Sequence, residues 1–277
     1  MKKRLSAFNY FGGKNSPKLL EFVLANLSLS NCYHMVDVFG GSAAIVLNYK
    51  QAKIRTFNDL NSDIYNFFKV LRESPEALLT QLELTPHCRE DYETIKLADI
   101  TCPLEKARCF FIKTVCSFGN TGALKPYNSW SYTVNDDRYR VSQSVARLLS
   151  KIDGLKNVVE ELRLIQIEKR DFRKILEMYD GPNTTFYVDP PYLKSTRSGN
   201  IKYIHEIDES EHIELCSLLN KLQGQYLLSG YDNQIYEENL NYKSVNRIGS
   251  CKTNAEKVST EVLWANYNLH EYKLDLV

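Results

Sequence analysis

Short apolar runs alternate with longer amphipathic stretches along much of the chain, and this alternation predicts strands separated by helices. Runs typical of buried strands occupy residues 35–39, 54–57, 162–167, 186–189, 226–229, 244–248 and 262–267. Apolar residues at helical spacing predict helices after Pro17, over 43–49 and 63–71, and after Pro75. Asp208 and Glu211 form a predicted capping box for a helix through Leu222. We therefore expect an α/β fold with a mostly parallel sheet covered by helices on both faces.

The pattern changes between residues 73 and 157, where helical segments are interrupted by glycines and by a polar, aromatic stretch at 125–139. We interpret residues 73–157 as an inserted, mainly helical domain, with residues 1–72 and 158–277 forming the domain that contains the sheet. Ligands of open α/β sheets bind at the carboxyl ends of the strands, near the point where strand order reverses. Residues 37–42 and 189–192 follow predicted strands, so we expect them to lie at this edge.

Composition narrows the class of protein. The chain has 277 residues, of which 43% are hydrophobic, and this is ample for a packed core. It contains no run of about 18 apolar residues and no basic-then-apolar leader, so we expect a cytoplasmic protein without a membrane partner. Its seven cysteines lack paired Cys-x-x-Cys spacing, which argues against a disulfide framework or a zinc site.

Residues 189–192, Asp-Pro-Pro-Tyr, combine an acceptor, a rigid turn and an aromatic ring at the end of a predicted strand. The two prolines hold φ at about −65° and favour extended geometry in the preceding residue, so the chain leaves the sheet in a fixed direction. The Asp189 carboxylate and the Pro190 carbonyl could accept both hydrogens of an exocyclic amine, such as that of adenine, while Tyr192 offers an exposed ring. The alternative is a structural turn with a solvated aspartate and a half-buried tyrosine.

Further motifs accompany this tetrapeptide in a fixed order. They are residues 9–14 (Asn-Tyr-Phe-Gly-Gly-Lys), 36–43 (Val-Asp-Val-Phe-Gly-Gly-Ser-Ala), 58–61 (Asn-Asp-Leu-Asn), 170–172 (Arg-Asp-Phe), 229–232 (Ser-Gly-Tyr-Asp) and 263–267 (Leu-Trp-Ala-Asn-Tyr). Together with residues 189–192, they make the chain resemble the Dam-like (D12) class of N6-adenine DNA methyltransferases from Phe8 to about Tyr267. The resemblance implies a Rossmann-like sheet of seven strands whose last hairpin is antiparallel, and a target-recognition role for the insertion.

The turn at residues 39–42 lacks side chains at its two glycines, which suits close approach by the amino-acid part of S-adenosylmethionine. The Gly-x-Gly-x-x-Gly spacing of dinucleotide sites is absent. Asp59 ends the next strand, where a carboxylate can accept hydrogen bonds from ribose hydroxyls or cap the following helix. From these features and the resemblance, S-adenosylmethionine is the expected cofactor, and its expected contacts are Tyr10, Lys14, Asp37, Phe39, Gly40, Ser42, Asp59, Asp171, Phe172 and Asp189.

The expected chemistry is direct methyl transfer to adenine N6, which needs neither a metal nor a covalent enzyme intermediate. The N6 lone pair is delocalised into the ring, so acceptors at Asp189 and Pro190 would shift electron density back to nitrogen and bind the developing positive charge. The adenine lies inside a duplex and must be flipped out, and we expect Tyr192 to stack on it.

Positive charge concentrates in the middle of the chain, because residues 101–173 contain thirteen Lys or Arg and eight Asp or Glu. Basic, amide and aromatic groups that can hold phosphates and contact base edges are interleaved there. The predicted DNA contacts are Asn120, Lys125, Tyr127, Asn128, Arg138 and Arg140. The Dam pattern around the recognition hairpin is not reproduced in this region, so GATC specificity does not follow. A polar loop at 194–203 could close over the flipped base or simply be mobile.

The predicted partner is double-stranded DNA, with a cognate restriction endonuclease as a second possible partner, and the sequence does not choose between a monomer and a dimer. Enzymes that methylate cytosine N4, ribosomal RNA adenine or protein glutamine are the nearest alternatives, although the first commonly has Ser and the last Asn in place of Asp189. A nucleotide-dependent oxidoreductase and a non-catalytic DNA-binding relative also remain open.

Overall fold

The computed structural model describes residues 4–10, 12–27, 32–118, 130–134, 137–138, 140–193, 205–250 and 259–269. The helices are α1 (Pro17–Leu27), α2 (Ala44–Asn48), α3 (Ser62–Glu73), α4 (Pro75–Leu84), α5 (Arg89–Leu97), α6 (Pro103–Val115), α7 (Gln143–Leu162), α8 (Phe172–Tyr179), α9 (Glu209–Leu219) and α10 (Gln234–Asn239). The strands are β1 (His34–Asp37), β2 (Ile54–Asn58), β3 (Asp137–Arg138), β4 (Val141–Ser142), β5 (Gln166–Glu168), β6 (Thr184–Val188), β7 (Gln225–Tyr231), β8 (Ser244–Ser250) and β9 (Ser259–Ala265).

Seven strands form one sheet in the order β5-β2-β1-β6-β7-β9-β8. The five strands from β5 to β7 are parallel, whereas β9 runs antiparallel to both β7 and β8. The predicted α/β class, the mostly parallel seven-stranded sheet and its antiparallel last hairpin are therefore confirmed. A separate two-stranded ribbon pairs β3 with β4.

Both faces of the sheet are buried, which explains why its central strands are continuous apolar runs. Met35 of β1 and Tyr187 of β6 belong to one cluster of buried side chains, whereas their chain neighbours Val36 and Phe186 belong to a second cluster. Successive side chains of a strand point to opposite faces, so helices must cover both. The predicted capping box at Asp208 is confirmed, since both of its hydrogen bonds are present at the start of α9.

One predicted strand was wrong over most of its length. The run at residues 162–167 begins with the last residue of α7, and only residues 166–168 form β5. Apolar periodicity over six residues does not separate the end of a buried helix from a buried strand. Here α7 continues to Leu162, past the boundary predicted at residue 157.

Helices from the predicted insertion share the core of the sheet domain. Phe111 of α6 stacks on Phe67 of α3 with ring centroids 5.9 Å apart, and Phe110 meets Phe8 edge to face. Glu161 near the end of α7 pairs with Arg55 of β2 at 2.6 Å. Moreover, α7 runs through residue 157, so the predicted boundary does not coincide with the end of an element. The domain division at residues 73 and 157 stays a prediction.

None of the helices that the structure describes is both long and apolar enough to cross a membrane.

Candidate active site

Strand order reverses between β1 and β6, which lie side by side in the centre of the sheet. From β1 the chain continues to β2 on one side, while β6 is followed by β7 on the other. The connections therefore diverge and leave a crevice at the carboxyl ends of these two strands, the usual ligand position in such sheets. Asp37 ends β1 and Asp189 directly follows β6, so the two carboxylates stand on either side of this crevice.

A cavity of about 340 Å³ opens at this edge. Every residue that the sequence predicted for catalysis or cofactor binding lines it, and these residues are Tyr10, Lys14, Asp37, Phe39, Gly40, Ser42, Asp59, Asp171, Phe172, Asp189, Pro190 and Tyr192. They come from five separate parts of the sequence, so their convergence is a property of the fold.

The glycine turn between β1 and α2 is shaped by close packing. A Cβ on Gly40 would lie 2.1 Å from the Phe57 ring, so no larger residue fits there without rearrangement. Gly41 has a φ of 51°, a conformation that favours glycine. The turn consequently brings bare backbone to the cavity wall.

Asp59 holds this turn in place. Its carboxylate accepts hydrogen bonds from the backbone N–H groups of Gly41 and Asn61, each at 2.8 Å. The alternative helix-capping role is wrong, because the side chain of Asn61 caps α3 instead. Burial raises the pKa of Asp59 to about 6, against the lowering effect of its backbone hydrogen bonds.

Asp37 is almost fully buried, with 1% of its surface exposed, yet it lines the cavity. Its Oδ1 atom has no hydrogen-bond partner among the described residues. Burial, followed by the nearby carboxylates of Asp189 and Asp59, raises its pKa well above the usual range. A buried acceptor of this kind fits a ligand that brings a donor or a positive charge.

An aromatic pair lies on the far wall of the cavity. Phe39 and Phe172 have ring centroids 5.6 Å apart, and the guanidinium of Arg173 lies 4.4 Å from the centroid of Phe172. Asp171 caps α8 by accepting a hydrogen bond from the backbone N–H of Arg173. The cap fixes the start of α8, and with it the position of Phe172, against the cavity.

The N-terminal segment at residues 10–14 closes the near wall. A Cβ on Gly13 would lie 3.0 Å from the Tyr10 carbonyl oxygen and 3.3 Å from Ser42 Oγ, so this segment packs closely against the glycine turn. Lys14 is buried, with 3% of its surface exposed, and its ammonium points to the end of β6.

Lys14 joins three groups at the centre of the site. Its Nζ donates to both carboxylate oxygens of Asp189 at 2.7 Å and to the Tyr192 hydroxyl at 2.6 Å. It also lies 3.2 Å from Oε1 of Glu261. The Tyr192 hydroxyl donates in turn to Glu261.

The expectation of an exposed Tyr192 ring is wrong, since only 9% of this residue is accessible. Its hydroxyl is held between Lys14 and Glu261, and its ring meets Tyr231 edge to face at 4.6 Å. The hydrogen bonds require the tyrosine to point inward, and the turn set by the two prolines allows this. Tyr192 nevertheless lines the cavity.

Asp189 is the most accessible member of this group, because 15% of its side chain is exposed, compared with 2% for Lys14 and 6% for Glu261. Burial raises the pKa of Asp189 to about 6, although the Lys14 ammonium opposes this effect, and the Glu261 carboxylate adds to it. The pH at which the Asp189 carboxylate is half protonated therefore lies about two units above the usual pKa of an aspartate.

Two residues that lie behind Asp189 received no role from the sequence: Glu261, which lay outside the motifs, and Ser229, which was noted only as part of the motif at 229–232. Ser229 Oγ donates to Oε1 of Glu261 at 2.7 Å, and both residues are buried. A charged residue directly before the apolar run at 262–265 was the available signal. Sequence reasoning also missed His205 and Glu206, which come after the polar segment 194–203 in the sequence and line the cavity.

Most of the predicted DNA contacts fall outside the described residues, namely Asn120, Lys125, Tyr127 and Asn128. The polar loop at 194–203 does so as well. Arg138 lies in β3, and Arg140 is exposed in the turn to β4 with a φ of 68°. Among the parts of the chain that the structure covers, no three His, Cys, Asp or Glu side chains converge as a metal site.

Two proteins of known name are similar in sequence to this chain. The modification methylase StsI of Streptococcus sanguinis is 27% identical over 299 residues, covering 97% of this chain and 44% of that protein. The type II methyltransferase M1.LlaDCHI of Lactococcus lactis subsp. cremoris is 25% identical over 253 residues, covering 84% of this chain and 86% of that protein. The chain thus spans less than half the length of the first relative and most of the second.

Among solved structures, a conserved hypothetical protein of Streptococcus pyogenes aligns with a TM-score of 0.34 and 7% identity, covering 86% of this chain and 88% of that chain. The putative methyltransferase yhhF of Escherichia coli aligns with a TM-score of 0.35 and 11% identity, covering 92% and 90%. The model of the D12 class N6 adenine-specific DNA methyltransferases matches residues 10–254, and the chain accordingly belongs to that family.

Proposed function

We propose that this protein transfers a methyl group from S-adenosylmethionine to N6 of an adenine flipped out of double-stranded DNA. The observation that carries the proposal is the position of Asp189, whose partly exposed carboxylate opens into the cavity at the reversal of strand order. Pro190, the next residue, lines the same cavity and fixes the direction of the chain.

Asp189 acts as a hydrogen-bond acceptor for the target amine. As the bond from N6 to the methyl carbon forms, the bond from that carbon to the sulfonium sulfur would break, so that S-adenosylhomocysteine leaves and N6 afterwards loses one hydrogen as a proton. While the new bond forms, the nitrogen gains positive charge and its hydrogens become better donors. The Asp189 carboxylate and the Pro190 carbonyl therefore bind the transition state more strongly than the ground state, which lowers the barrier.

The residues around the glycine turn fit S-adenosylmethionine. Gly40 and Gly41 line the cavity without side chains, and the unpartnered Oδ1 of Asp37 can accept from the donor's ammonium group. Asp59 is available to ribose hydroxyls, and the Phe172 ring to the purine. When bound, the cofactor supplies a sulfonium-activated methyl group as the electrophile.

Tyr192 is the proposed platform for the flipped base, because it is an aromatic residue that lines the cavity together with Asp189. Stacking on an aromatic ring contributes about 1–3 kcal/mol, which offsets part of the few kcal/mol needed to extrude the base. The hydrogen bonds to Lys14 and Glu261 fix the ring before the base arrives.

Two partners are proposed for the protein: the DNA duplex and a cognate restriction endonuclease. Arg138 and Arg140, with the segment before them, are proposed to contact the duplex. The named relatives are a modification methylase and a type II methyltransferase, which favours a role beside a cognate restriction endonuclease acting on the same site.

The test is methyl transfer from tritiated S-adenosylmethionine to DNA, RNA and protein in parallel, with NAD titrated in a separate binding measurement. We expect label in DNA alone and no NAD binding. Long-read sequencing of DNA from a methylation-deficient host expressing this protein should then place the modification at adenines within one sequence. Label in RNA or protein but not in DNA, or modified cytosines, would contradict the proposal.

A further inference from the structure

Two carboxylates share one ammonium group in the active site. Lys14 Nζ lies 2.7 Å from Asp189 Oδ1 and 3.2 Å from Glu261 Oε1, and all three side chains are largely shielded from solvent. Surface ion pairs often contribute little to protein stability. Burying two carboxylates with one ammonium group is different, because removing the charges from water costs free energy that only well-placed hydrogen bonds and ion pairs can offset.

The two carboxylates face different surroundings. Asp189 borders the cavity, whereas Glu261 lies behind it on β9, opposite Tyr231 of β7 in the antiparallel register. Ser229 Oγ and the Tyr192 hydroxyl both donate to Oε1 of Glu261, so this carboxylate is fixed from two strands and the turn after β6. A target base can therefore reach Asp189 but not Glu261.

The pairing of Lys14 with Asp189 opposes the reaction proposed above. The ammonium occupies both oxygens of the acceptor that the N6 hydrogens require, and its positive charge lies beside an amine that becomes positive in the transition state. Like charges repel more strongly in a buried site than in water, because the effective dielectric constant is lower there.

We propose that Glu261 is a positioning residue that takes up the Lys14 ammonium when the target adenine occupies Asp189. The inference rests on the proposed function. Lys14 needs only a small displacement, because Glu261 is already within ion-pair distance and its other hydrogen bonds hold it still. Both oxygens of Asp189 are then free for the N6 hydrogens, and the buried ammonium keeps a partner throughout.

The acid limb of the pH profile supplies a readout that a merely structural role would not move. Asp189 must be ionised to accept the N6 hydrogens, and the negative charge of Glu261 raises the pKa of Asp189. Removing that charge lowers this pKa, so activity should persist to lower pH. The titratable groups that face Asp189 are Lys14, Asp37, Tyr187, Tyr192, Tyr236 and Glu261.

The experiment compares Glu261→Gln with the wild-type protein in steady-state methylation of DNA. Glutamine keeps the size and the acceptor oxygen for Tyr192 and Ser229 but has no charge to hold Lys14. We expect kcat to fall by about 100-fold, as for other misplaced active-site groups. The KM values for DNA and S-adenosylmethionine should change by less than about threefold, and the acid limb should move to lower pH.

Glu237→Gln is the matched control. Oε1 of Glu237, in α10, accepts hydrogen bonds from Trp264 and Arg247, which belong to the same β8–β9 hairpin as Glu261, but Glu237 does not line the cavity. This control should match the wild-type protein. If Glu261→Gln does not fold, Glu261→Asp keeps the charge and withdraws it from Lys14. Its kcat should fall while the acid limb stays in place, and an unchanged kcat in this variant overturns the inference.

The inference and the proposed function fail in different ways. A wild-type protein that transfers no methyl group to DNA refutes the proposed function. A wild-type protein that methylates DNA, together with a Glu261→Gln variant of equal kcat and unmoved acid limb, overturns only the role of Glu261.

Discussion

At the scale of single residues, the site depends on a carboxylate kept partly accessible among buried neighbours. Asp189 exposes 15% of its side chain, enough to meet a ligand, while the groups that fix it are sealed from solvent. Its charge is maintained by Lys14 and opposed by Glu261, so small changes in either neighbour alter how strongly it accepts hydrogen bonds.

Replacing the Asp189 carboxylate tests this dependence directly. Asp189→Asn removes the negative charge with little change in size, and we expect kcat to fall by about 100- to 1000-fold, as when one electrostatic contact to a transition state is lost. Steady-state methylation of DNA measures the effect. Asp232→Asn is the control, because Asp232 is an exposed partner of Arg247. A kcat within about threefold of the wild-type value for Asp189→Asn would refute the assignment.

The pH dependence of the reaction follows from two pKa values. Asp189 and Asp59 each have a pKa raised to about 6, so both lose their charge as the pH falls through that value. We expect turnover to fall with protonation of Asp189, and affinity for S-adenosylmethionine to fall with protonation of Asp59. Rate profiles and calorimetric titrations across this range measure the two effects separately. Full activity two pH units below 6 would contradict the prediction.

At the scale of elements, the turn between β1 and α2 shows how close packing creates a ligand surface. Gly40 has no room for a side chain because the Phe57 ring packs against it. Gly41 adopts a left-handed conformation, and the Asp59 carboxylate stabilises it by accepting a hydrogen bond from the Gly41 backbone N–H. The bare backbone that results is a consequence of packing between two neighbouring strands.

Two glycine substitutions compare the tightly packed turn with an unconstrained glycine in a helix. Gly40→Ala places a Cβ 2.1 Å from the Phe57 ring, so we expect a loss of stability of about 1–3 kcal/mol from overpacking, and weaker binding of S-adenosylmethionine. Gly154→Ala lies inside α7 with its Cβ 4.0 Å from the nearest atom, so it should raise stability by about 1 kcal/mol. Urea denaturation and calorimetry measure both. Equal effects of the two substitutions would show that the turn is not constrained.

At the scale of the whole molecule, the helices of the predicted insertion are continuous with the sheet domain. Phe111 is fully buried and stacks on Phe67, and one cluster of buried side chains extends from Phe8 to Trp130 and Leu263. A shared core couples the stability of its parts, so we expect residues of the insertion to support the active site from a distance.

Phe111→Ala tests this coupling. Loss of a buried Phe typically costs about 3–5 kcal/mol, and a shared core should transmit this loss to both parts of the chain. The two tryptophans serve as reporters, because Trp130 follows α6 whereas Trp264 lies in β9. In Trp130→Phe and Trp264→Phe backgrounds, Phe111→Ala should lower the denaturation midpoint of each remaining tryptophan equally. A shift confined to Trp130 would show that the insertion unfolds by itself.

The local features of this protein could be predicted from its amino-acid sequence. The strand before Asp189, the turn at Gly40 and the capping box at Asp208 were all evident, because each depends on residues close together in the chain and on steric rules for the backbone. The alternation of strands and helices also predicted a mostly parallel sheet, and the resemblance to the Dam-like class implied its antiparallel last hairpin. The same local rules misplaced the end of α7, since apolar residues suit a buried helix and a buried strand equally.

The side chains that complete the site could be identified only once the chain was folded. Lys14 and Asp189 are 175 positions apart, and Tyr192 and Glu261 are 69 apart, so their contact depends on how the strands align and not on local pattern. The register that places Glu261 opposite Tyr231 is set by packing of the whole sheet. The same packing turned the Tyr192 ring inward, because two buried hydrogen bonds to its hydroxyl outweigh exposure to solvent.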